Sequence, residues 1–148
     1  MEQLESETQE QYRYTITTAG LYTFTATVTG PDGISYTDSI GITVLPIAQI
    51  DTLLRAKWAA FSEALNDKDI VTALNMMTPR SRERYQVMFD LLRDQLPAIM
   101  ATHAGLVLQS ITDGRAYYEL NTIENGIAYS YRLSFVNDVN GLWLIREF

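Results

Sequence analysis

The sequence predicts an α+β fold in two parts: three short antiparallel strands, then three helices packed on a four-stranded, curled antiparallel sheet. Three observations carry this expectation. Before Pro46, apolar and polar residues alternate with period two. From Ile50 to Leu96 the apolar residues recur at helical spacing instead. From Leu106 onward period two returns, interrupted by Asp113-Gly114 and Asn125-Gly126, the dipeptides that two-residue hairpins prefer. The boundary falls at Pro46, so segments 1–46 and 47–148 are expected to be separate domains.

The first eleven residues are polar and acidic, expected to be disordered, and without the apolar stretch of a secretory signal. A strand over Gln11 to Thr18 follows, with Tyr12, Tyr14 and Ile16 on one parity. Ala19-Gly20 separates it from a second strand, Leu21 to Thr29, where Tyr22, Phe24, Ala26 and Val28 alternate with threonines. The run Gly30-Pro31-Asp32-Gly33 reads as a turn into a third strand, Ile34 to Leu45. Asp32 and Asp38 are too sparse for calcium, which takes six to eight oxygen ligands.

After Pro46, Ile50, Leu53, Leu54, Trp58, Phe61 and Leu65 mark a first helix, with Asp51 suited to its N-terminal turn. The polar break Asn66 to Asp69 supplies Asp67 or Asp69 as cap for a second helix carrying Ile70, Ala73 and Leu74. Thr78-Pro79 is an N-cap followed by proline at the first helical position, opening a third helix with Tyr85, Phe89 and Leu96. Pro97 should kink or end it. Arg80, Arg82, Arg84 and Arg93 make this helix locally basic. Glu83, Asp90 and Asp94 interleave, and Asp90 is spaced to pair with Arg93, so a solvated, charge-laced face is preferred over an anion site. Four strands close the chain: Leu106 to Thr112, Arg115 to Glu124, Ile127 to Asn137 and Leu142 to Phe148.

Composition excludes several functions. The 148 residues carry a net charge of −7, opposite to the basic footprint of a nucleic-acid binder. There is no cysteine, hence no disulfide, thiolate metal site or cysteine nucleophile, and a single histidine cannot build a polyhistidine metal site. No metal or cofactor is expected. No run approaches the roughly 20 apolar residues of a membrane-spanning helix.

The aromatic residues Trp58, Phe61, Tyr118, Tyr129, Tyr131 and Trp143 are the candidates to line a pocket between helices and sheet. The competing reading makes them plain core, since aromatics at alternate strand positions pack that way. A catalytic carboxylate would have to lie on the buried parity, expected as Ala116, Tyr118, Leu120 and Thr122 on one strand. On the next strand it is Ile127, Tyr129, Tyr131, Leu133 and Phe135. Glu119 falls on the opposite face, so no general base is expected at the pocket. His103 reads as a residue at the C-terminal end of the third helix, where the helix dipole favours its charged form.

Two resemblances follow from these residues. Gly20-Leu21-Tyr22, the alternation to Val28, Asp32-Gly33 and Ile40 to Val44 resemble the C-terminal part of a PKD-type or bacterial Ig-like domain. That resemblance implies an incomplete β-sandwich from a longer protein, at the cell surface or outside the cell. Trp58-Ala-Ala-Phe61, Asp67 to Leu74, Thr78-Pro79 and the final Gly141-Leu-Trp143-Leu-Ile145 resemble the nuclear-transport-factor-2-like α+β cone superfamily. It implies a cone-shaped domain and leaves activity open, because the fold hosts both enzymes and silent modules. The expected function is a non-catalytic binding or structural module of a bacterial secreted or cell-surface protein. The alternative is a small-molecule pocket with weak isomerase- or dehydratase-type chemistry. The open strand edges of the first part predict a homodimer through it.

Overall fold

Period two before Pro46 does produce strands, and their pairing differs from the expected three-stranded sheet. The computed structural model describes residues 2–4, 13–138 and 140–148. Most of the N-terminal stretch expected to be disordered, with Gln11 and Tyr12 of the expected first strand, lies outside them. The chain divides into two compact units, Met1–Gln49 and Ile50–Phe148.

In the first unit, β1 (Glu2–Leu4) pairs antiparallel with β2 (Arg13–Thr15), and this pair is a sheet separate from the next strands. β3 (Gly20–Thr29) and β4 (Ser35–Val44) form a separate two-stranded hairpin in continuous register from Gly20↔Val44 to Thr29↔Ser35. The turn is fixed by Gly33 N–H donating to Gly30 O at 3.0 Å and by Asp32, which accepts from Ile34 N–H at 3.0 Å. Alternation gives the hairpin two unlike faces. One carries a hydroxyl ladder, Thr25–Ser39, Thr27–Thr37 and Thr29–Ser35, bonded at 2.9, 3.1 and 3.2 Å. The other sets Tyr22 against Ile42, Phe24 against Ile40 and Val28 against Tyr36. Tyr14 of β2 touches Phe24 ring to ring at 5.3 Å, which links the two strand pairs by side chains.

Among the described residues there are four helices rather than three. α1 runs Ile47–Asn66, starting a turn earlier than expected, so Asp51 lies beyond its first turn. Asp69 is the cap of α2 (Ile70–Asn75), accepting from Thr72 N–H at 3.1 Å. Thr78 caps α3 (Pro79–Leu91), accepting from Ser81 N–H at 3.3 Å, with Pro79 at the first turn as expected. The third helix does not continue to Leu96. It stops at Leu91, and Pro97 sits in the first turn of a short α4 (Leu96–Met100), where its missing N–H costs nothing.

β5 (His103–Thr112), β6 (Arg115–Glu124), β7 (Ile127–Asn137) and β8 (Trp143–Glu147) follow as an antiparallel meander in the order β5-β6-β7-β8. Asp113, Gly114, Asn125 and Gly126 all have positive φ, as two-residue hairpin turns of this hand require. His103 is thereby the first residue of β5, paired with Thr122, and not the end of a helix.

The core lies between the helices and one face of this sheet: Leu54, Trp58, Phe61 and Leu65 from α1, Tyr85 and Phe89 from α3, and Tyr118, Leu133, Phe135 and Ile145 from the strands. Each large apolar side chain so buried contributes about 1.5–3 kcal/mol. α3 is tied to β8 by Thr78 N–H donating to Ile145 O at 2.9 Å and by Ser81 Oγ donating to Arg146 O.

Candidate functional site

The helix-covered face of the four-stranded sheet holds most of the sequence-predicted pocket residues, and it is filled. Trp58, Phe61 and Tyr118 are core. Phe148 enters the same space, with its ring 5.3 Å from Trp58, 5.2 Å from Phe61 and 5.1 Å from Tyr85. Tyr85 Oη holds Phe148 in place, donating to its carbonyl at 2.9 Å and accepting from its N–H at 3.2 Å. Trp143 is half-buried and packs on the rim of the core.

Tyr129 and Tyr131 do not join the others. They share the face of Leu133 and Phe135, yet they are 42% and 44% exposed while Leu133 and Phe135 are fully buried. The expected buried parity therefore holds for β6 and only for the second half of β7. β8 pairs with β7 from Ser134 to Asn137, leaving the first half of β7 without a neighbour on that side among the described residues. The two tyrosine rings stack on each other at 6.3 Å.

The expectation that no carboxylate reaches this face is corrected at two points. Asp51 accepts a hydrogen bond from Tyr118 Oη at 2.8 Å. Arg55, one turn along α1, donates to both Asp51 oxygens at 3.0 Å, donates to Leu106 O at 3.0 Å, and lies 5.7 Å over the Tyr118 ring. Burial, then the bond to Asp51, push the Tyr118 hydroxyl well above the usual tyrosine range, so it stays protonated and remains the donor. The second acid is Glu124, at the end of β6. Its Oε1 accepts from Thr122 Oγ1 at 3.1 Å and from Tyr131 Oη at 3.2 Å.

Both acids had a sequence signal. Asp51 precedes Leu54, Trp58, Phe61 and Leu65 at the same three–four spacing, so it continues the buried stripe of α1. Glu124 is two residues past Thr122 and so shares its face.

His103 stacks on Trp58 at 5.5 Å, and its Nδ1 is buried without a hydrogen-bond partner among the described residues. Burial lowers its pKa, opposed by the nearby Glu124 charge, so the neutral ring is favoured. A shallow groove of about 560 Å³ is centred on the opposite face of the sheet, lined by Tyr117, Glu119, Ser130 and Arg132, with Tyr118 and Tyr131 of the sequence-predicted set also at its wall. Among the described residues no cluster of three or more His, Asp or Glu side chains is arranged to hold a metal ion, and no helix is long and apolar enough to cross a membrane. No protein-family model, curated protein or solved structure matches the chain.

Proposed function

We propose that the chain is a non-catalytic association module whose contact surface is the β3–β4 hairpin, and that a second copy of the chain covers it. The observation that carries this reading is the apolar face of that hairpin. Val28, Tyr36 and Ile40 lie on one side of it, exposed to 66%, 61% and 61%. A two-stranded hairpin alone is marginal in water; three or more strands with a covered apolar face are needed. Each strand also has a free edge among the described residues, and free edges template pairing with another chain. Two identical hairpins meeting about a two-fold axis satisfy both needs. The resemblance of Gly20 to Val44 to a PKD-type or Ig-like sandwich supports the same idea, because in such a sandwich this hairpin has its apolar face covered by other strands. With it comes the proposal of a bacterial secreted or cell-surface setting.

The cone-like α+β unit then serves as a folded support. The alternative, a small-molecule pocket with weak isomerase- or dehydratase-type chemistry, draws on the Asp51–Tyr118 pair. Tyr118 is 1% exposed and its hydroxyl is committed to Asp51, which leaves no place for a substrate beside it. Hydrogen exchange read on β3 and β4 tests the association reading. Protection of these amides is expected to rise with protein concentration, and protection independent of concentration would refute it.

A further inference from the structure

A second groove, of about 880 Å³, lies where the first turns of α3 meet β7 and β8. Arg80, Arg84 and Arg146 line it together with Glu83, Glu147 and Val136. Arg80 and Arg84 are one turn apart on one face of α3, and Arg146 comes from β8. Their relative position is fixed by the bonds that clamp α3 to β8, Thr78 N–H to Ile145 O and Ser81 Oγ to Arg146 O. Arg84 is held further: its guanidinium stacks 4.8 Å over the Tyr85 ring and donates to Tyr85 Oη at 3.1 Å.

The sequence suggests a helix face whose charges neutralise one another; Asp90 does pair with Arg93 as expected, and this leaves the arginines of the first turns without those acids. Asp90 accepts from Arg93 at 3.0 Å, and Asp94 from Lys68 at 2.7 Å. Among the described residues the ion pairs use Arg55, Lys68 and Arg93, so none of the three groove arginines has a carboxylate partner. Glu147 is itself engaged by Ser134 Oγ at 3.2 Å. The groove thus carries one more guanidinium than carboxylate in a chain of net charge −7. Guanidinium forks bind oxyanions by paired, charge-assisted hydrogen bonds, and the volume suits a small ligand, which typically takes roughly 300–1,000 Å³.

We propose that this groove binds a small multiply charged oxyanion, a phosphate ester or a polycarboxylate, through Arg80, Arg84 and Arg146. Titration of the full chain with pyrophosphate and, separately, with citrate tests it, followed by amide NMR shifts and calorimetry. Saturable one-to-one binding is expected, with the shifted amides confined to residues 78–84 and to Arg146 and its neighbours. The double variant Arg80→Gln/Arg146→Gln should weaken binding by about tenfold or more, the loss expected from removing charge-assisted bonds. Arg132→Gln, at an exposed arginine of β7 that lines the other groove, should leave it unchanged. Response to pyrophosphate alone assigns a phosphate ester, and response to citrate alone a polycarboxylate. Failure of both anions to bind saturably overturns the proposal, as does equal weakening by Arg132→Gln, which would mark general charge attraction. If the double variant fails to fold, the wild-type shift map decides, and shifts scattered away from the groove overturn the proposal.

Discussion

At the residue scale, Tyr118 shows how a group that looks catalytic becomes structural. Its ring fills the core and its hydroxyl is the donor that a partly buried Asp51 needs, with Arg55 completing the set. Tyr118→Phe removes one charge-assisted bond and leaves Asp51 to Arg55, so it is expected to cost about 1–2 kcal/mol in chemical denaturation. Trp58→Ala opens a cavity beneath His103 and Phe148 and should cost about 3–5 kcal/mol, with half-buried Trp143→Ala costing less. His103 gives a pH dependence with a definite sign. Its pKa is lowered on folding by burial, so the unfolded chain binds the proton more readily. Stability should therefore fall as pH drops through about 6.5, the ordinary histidine value, down to the depressed folded value. Asp69 and Asp94, whose pKa values are also lowered, by the bond from Thr72 and by Lys68, act only below the ordinary carboxylate value of about 4. Melting temperatures of wild type and His103→Gln between pH 5 and about pH 7.5 check this; parallel curves for the two would contradict it.

At the element scale, the features that were legible are those set by neighbours in sequence. Asp113-Gly114 and Asn125-Gly126 turn the sheet because both residues of each pair accept positive φ, and Thr78-Pro79 starts a helix because cap and proline act locally. Thr78→Ala should cost about 1 kcal/mol, read as a lower denaturation midpoint. What was not legible depends on partners distant in the chain. Nothing local in Arg13–Thr15 says that it pairs with Glu2–Leu4 and not with β3. The alternation of β7 is uniform from Ile127 to Phe135. Burial divides it in two because β8 spans only one half, a fact about another strand. The pocket candidates divided for the same reason, with Tyr129 and Tyr131 left uncovered while Tyr118 is sealed. The carboxylates were within reach of pattern reading: Asp51 needed the α1 stripe extended one step backward, and Glu124 one step forward along β6.

At the scale of the whole molecule, the two units differ in how well each satisfies itself. The α+β unit buries an uninterrupted aromatic and aliphatic core under four helices. The hairpin exposes its apolar face, and both its edges are unpaired among the described residues. Net negative charge concentrates before Pro46, where Glu2, Glu5, Glu7, Glu10, Asp32 and Asp38 are set against a single base, Arg13. Association through this part should therefore strengthen with added salt as like charges are screened. Sedimentation equilibrium of the full chain, alone and as Val28→Lys/Ile40→Lys, is the most direct test of the association module. The account predicts a concentration-dependent dimer for the wild type and a monomer for the variant. A wild-type chain that stays monomeric at the highest attainable concentration, or a variant that dimerises equally well, would contradict it.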